Sequence, residues 1–93
     1  MKSILQTEKV CYITGQTNNL HKHHIYAGGR RQISEKHGFW VYLAGWLHNQ
    51  SDHGVHGKNG QWLDKKLKQD CQRKYEETHS REEFVKLIGK NYL

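Results

Sequence analysis

Seven of the eight histidines in this 93-residue chain fall between positions 21 and 56. They are too many to be isolated core or surface residues, because each buried imidazole brings a donor and an acceptor that need partners. The rest of the chain offers little to hide them in. Only 34% of the residues are hydrophobic, and a chain of this length buries about 60–65% of the surface it exposes when unfolded. The core must be small, so a bound metal or a second subunit would add materially to stability. One module is expected over residues 1–93, with a homodimer left open.

Fifteen Lys and Arg stand against nine Asp and Glu, a net charge of +6 with neutral histidines. A polyanion is the natural partner, and nucleic acid is the first to consider. No apolar stretch approaches the roughly 18–20 residues that span a bilayer, and MKSILQTEKV lacks a signal-peptide core, so a cytosolic protein without a membrane partner is expected. Cys11 and Cys71 lie sixty positions apart and read as reduced thiols.

Val10 to Thr14 is β-prone, Gly15 to Asn19 is rich in turn formers, and Leu20 to Tyr26 is again β-prone, which together predict a hairpin. After Gly28-Gly29, Arg30 to His37 is a loop or one to two helical turns stopped by Gly38. Phe39 to Leu43 is a third strand. His48 to Gly60 shows neither hydrophobic period and is expected to be an irregular loop that gathers side chains. Trp62 or Leu63, Leu67, Cys71 and Tyr75 recur every four residues and predict an amphipathic helix over 61–78. Ser80 with Glu83 forms a capping box for a short last helix bearing Phe84, Leu87 and Ile88, with Gly89 as its stop. The class is α+β: a hairpin and a short strand, then an amphipathic helix and a short C-terminal one.

The chemistry concentrates in His21-Lys22-His23-His24-Ile25, His48-Asn49 and Val55-His56. Successive strand residues point to opposite faces, so His23 and His24 must play different parts. One imidazole could bind a metal while its neighbour approaches a substrate held there, and His56 could supply a ligand from the opposite wall. Arg30 and Arg31 could grip phosphates with bidentate hydrogen bonds. Trp40, Tyr42, Trp46 and Trp62 are expected in the core rather than as base-stacking platforms, and His37 and His79 in solvent.

The stretch from Cys11 to about Tyr75, with HKHHIYAGG, RRQISEKHGFWVYL, HN, VH and LKQDCQRKYEE in that order, resembles the HNH endonucleases. This is the ββα-metal or His-Me finger group, and the likeness within it is to the small phage recombination nucleases of the Ref type. The resemblance implies a metal-dependent DNA endonuclease encoded by a phage or prophage and working in recombination or DNA processing inside a bacterium. Residue by residue it makes His24 the general base, Asn49 the residue that braces the loop, and His23 and His56 the metal ligands. His48 would stand behind them or act as a further ligand. The cofactor implied is one divalent ion, Mg²⁺ or Mn²⁺, with Zn²⁺ or Ni²⁺ able to serve in vitro.

The chain departs from that family at the zinc knuckle many relatives carry. Its four ligand positions fall in Cys11-Tyr12-Ile13-Thr14 and Ala44-Gly45-Trp46-Leu47, where only Cys11 remains. Structural zinc takes four Cys or His ligands, so no structural zinc is expected. Apolar packing, with Trp46 and Leu47 filling the space, is expected instead. Two other readings stay in play, the first of them supported by the degenerate knuckle. One is a catalytically inactive HNH-derived module that binds DNA or a protein, and the other is a fold whose ion is purely structural.

Overall fold

The computed structural model describes residues 1–49 and 54–93; His53 lies outside the described residues. Two strands, β1 (Leu20–His24) and β2 (Trp40–Ala44), form an antiparallel pair in which His23 faces Val41 and His21 faces Leu43. Between them run one 3₁₀ turn (Gly28–Arg30) and the helix α1 (Arg31–His37). After β2 come a single-turn helix α2 (Gly45–His48), the long α3 (Gln61–Tyr75) and α4 (Arg81–Ile88). No helix among the described residues is long and apolar enough to cross a membrane.

The hairpin expected between residues 10–14 and 20–26 does not form; the partner of β1 is β2. Its first arm is instead a tight turn. The Cys11 N–H donates to the Gln16 carbonyl and the Gly15 N–H returns to the Cys11 carbonyl, 2.8 and 2.9 Å apart, so the groups a ladder needs are used locally. The N-terminal segment covers the free edge of β2 without becoming a strand. Ser3 Oγ donates to the Trp40 carbonyl, Gln6 Oε1 accepts from the Tyr42 N–H, and the Tyr12 N–H donates to the Tyr42 carbonyl.

The one-to-two-turn helix after Gly28-Gly29 is present as α1, and its end is dictated by glycine. Gly38 sits at φ +75°, and a Cβ there would run into the Lys2 carbonyl. In α3 the four-residue repeat holds as Leu63, Leu67 and Cys71, all fully buried against Phe39, Leu43, Phe84 and Ile88. The helix ends at Tyr75 rather than 78, because the Thr78 and His79 N–H groups both turn back to the Tyr75 carbonyl and tighten the last turn. The Ser80–Glu83 capping box is formed and Gly89, at φ +94°, stops α4.

Two expected core aromatics are on the outside. Trp62, one position before the buried stripe of α3, is 57% exposed, and Trp46 is 44% exposed. The knuckle positions are packed by Cys11, Ala44 and Leu47, which join the core cluster, while Trp46 does not fill the gap.

Candidate metal centre

Alternation along β1 divides its four consecutive polar residues between two faces. His21 and His23 turn toward α2, and Lys22 and His24 turn toward α1, each set held by the contacts below. His23 is 3% exposed, and its Nε2 is buried without a hydrogen-bond partner among the described residues. A buried polar atom left unpaired costs about 1–3 kcal/mol, so such atoms are rare unless something else satisfies them.

His48, the last residue of α2, comes up beside the His23 ring because α2 follows β2 without a linker. Its ring centroid lies 5.3 Å from that of His23, and its Nδ1 is 3.0 Å from Nδ1 of His21. His56 arrives on a turn fastened to α2 by two backbone bonds, Val55 N–H to the Leu47 carbonyl and His56 N–H to the His48 carbonyl, at 2.5 and 3.1 Å. That turn closes tightly enough that a Cβ on Gly60 would meet the Gly54 carbonyl. His48 Nε2 and His56 Nε2 end 3.2 Å apart.

One ligand atom from each of His23, His48 and His56 lies within 4.8 Å of the others, close enough to hold a metal ion. Bonds of about 2.0–2.1 Å in tetrahedral geometry put ligand nitrogens roughly 3.3 Å apart. The His48–His56 pair already has that spacing, and the His23 nitrogen lies within 4.8 Å of both. Burial, followed by the neighbouring imidazoles, lowers the His23 pKa to about 3 and that of His48 to about 4, leaving both rings neutral at pH 7 as ligands must be. Three imidazole nitrogens suit Zn²⁺ or Ni²⁺ better than Mg²⁺ or Mn²⁺, which prefer oxygen, so the donor set moves the expectation toward Zn²⁺ and Ni²⁺.

On the other face, His24 Nε2 lies 2.8 Å from Oε2 of Glu35 on α1, and Lys22 Nζ lies 2.9 Å from the same carboxylate. Hydrogen bonds from Lys22 and then His24 hold the Glu35 pKa down near 2. Both faces open onto one cavity of about 210 Å³ lined by Lys22, His23, His24, Ala27, Arg31, His48 and His56.

Arg31 lines that cavity, but Arg30 does not: its Nε donates to the Ile88 carbonyl at 2.7 Å, tying the end of α4 to the 3₁₀ turn. Asn49 is exposed, and among the described residues its side chain makes no hydrogen bond; its backbone N–H donates to the Gly45 carbonyl. His37 stacks on Phe39 and His79 on Tyr75, neither of them lining the cavity. Sequence reasoning underweighted His48 and His21 and passed over Glu35. The period-two rule that separates His23 from His24 also puts His21 on the His23 face, a signal that was available. No protein-family model matches this chain, and neither a curated protein nor a solved structure does so.

Proposed function

We propose that the chain is a metal-dependent DNA endonuclease of the ββα-metal type. The observation that carries this reading is the buried Nε2 of His23, without a partner among the described residues and set among two further imidazoles with a fourth, His24, on the same cavity. A divalent ion bound there would supply positive charge to offset the negative charge that grows as the phosphodiester is cleaved.

The chain's own groups do the rest. His23, His48 and His56 would hold the ion, and His21 meets the far nitrogen of His48 and so fixes how that ring is turned. His24 accepts a proton from the attacking water while the new P–O bond forms and the bond to the 3′ oxygen breaks, the 3′ oxygen leaving with a proton from solvent. Arg31 on the rim binds a flanking phosphate. With contacts confined to phosphates, sequence preference should be slight and affinity should fall steeply with salt.

Incubating supercoiled plasmid with Mn²⁺, Zn²⁺, Ni²⁺, Mg²⁺ or EDTA tests the reading, with wild type beside His24→Ala. Nicking that requires a transition ion and drops by roughly 10²- to 10⁴-fold in the variant is the expected result. No cleavage of double- or single-stranded DNA with any ion would transfer the chain to the binding-module reading.

A further inference from the structure

We infer that Glu35 is a positioning residue for His24, holding its ring so that Nδ1, and not Nε2, is the atom that takes the proton. This rests on the reading of His24 as the base, and it deepens that reading by assigning the atom and the residue that selects it.

Glu35 Oε2 lies 2.8 Å from His24 Nε2. A carboxylate only accepts hydrogen bonds, so the proton of the neutral ring must sit on Nε2 and the lone pair on Nδ1. Lys22 grips the same carboxylate, its Nζ 2.9 Å from both Oε1 and Oε2, while its ammonium lies 4.2 Å from the centre of the Trp40 ring. Glu35 is therefore gripped by two residues that leave β1 on one face.

The backbone beneath it is equally constrained. Ser34, the neighbour of Glu35, is fully buried; its Oγ accepts from the Tyr26 N–H at 3.1 Å and donates to the Tyr26 carbonyl at 2.7 Å. That clamp lies two residues beyond His24, so the register of α1 against the end of β1 is locked where Glu35 must reach the ring. Positioned this way, the carboxylate also stabilises the imidazolium that forms when His24 takes up a proton.

The test compares Glu35→Ala, Glu35→Gln and Glu35→Asp with wild type by cleavage kinetics, Zn²⁺ affinity and the ¹⁵N shifts of the His24 ring, which report which nitrogen is protonated. Glu35→Ala should lower kcat by roughly 10- to 100-fold, the scale on which outer partners of a working imidazole act. KM for DNA and Zn²⁺ affinity should stay within about twofold of wild type, as for a group that touches neither phosphate nor ion. The ring should also lose its fixed Nε2–H form, and Glu35→Asp should recover part of both effects. Unchanged kcat together with unchanged ring shifts in Glu35→Ala would overturn the assignment, as would a loss confined to KM or to Zn²⁺ affinity. Should wild type itself cut nothing, the nuclease reading falls, and the ring shifts alone then decide whether Glu35 holds His24.

Discussion

Gln72 and His23 are both buried polar residues, and they are treated in opposite ways. Gln72, on α3, donates to Glu76 and Asn91 and accepts from the Tyr92 N–H, all within 2.8 Å, so the C-terminal tail is docked on a saturated amide. His23, on β1, keeps a buried nitrogen with no partner among the described residues. One end of the molecule thus meets the ordinary requirement of a folded interior, and the other leaves a buried nitrogen outside that rule among the described residues.

The largest effect that would sharpen this contrast is expected in the core. Phe84→Ala removes a fully buried ring packed against Tyr26 and Tyr75 and should cost about 3–5 kcal/mol in urea or thermal unfolding. A loss under about 1 kcal/mol would mean that α4 does not share the core as described.

At the histidine end the expected effect is smaller and depends on metal. Zn²⁺ at a hundredfold excess over its dissociation constant should stabilise wild type by about 2.7 kcal/mol. His23→Leu should lose that gain while its metal-free form unfolds no more easily than wild type, because the change removes an unsatisfied atom. Circular dichroism after EDTA should still show folded helices. If chelation melts them, the ion is structural and the two ends are not distinct.

The smallest effect concerns alkali. Burial pushes the Cys71 thiol from its ordinary value up to about 12. Above pH 9 the unfolded chain releases this proton while the folded one keeps it, so Cys71 contributes stability in full below pH 9 and loses it progressively toward pH 12. Denaturant midpoints measured at pH 8 and 10 should fall less in Cys71→Ala than in wild type. Equal falls in both would place the alkaline weakness elsewhere.

Elements governed by neighbours along the chain were legible in the sequence. The Leu63, Leu67, Cys71 repeat, the Ser80–Glu83 box and the stops at Gly38 and Gly89 all depend on spacings of four residues or fewer. What depended on distant partners was not legible. The segment at 10–14 has strand propensity, but whether it pairs was decided by the Gly15 turn and by β2 thirty residues on. Trp62 was misplaced for a related reason: next to Leu63 on a helix, it is turned about 100° away from the stripe that packs. In the site, the letters H-H, H-N and V-H were readable, and so was the separation of His23 from His24. The part of His48 followed from α2 starting directly at the end of β2, and that of Glu35 from the Ser34 clamp, neither of which any local pattern encodes.

The bond from Arg30 to the Ile88 carbonyl spans 58 positions, and it has a consequence for the order in which the protein is made. By residue 56 a growing chain has every histidine of the centre, but not the side chains of Phe84 and Ile88 that close the core beneath β2, nor the carbonyl that Arg30 holds. A nascent chain therefore carries three potential metal ligands well before it has the frame that spaces them. The frame that spaces these histidines closes only once α4 has been made and has docked, so residues 81–88 decide when imidazoles made earlier are brought into register.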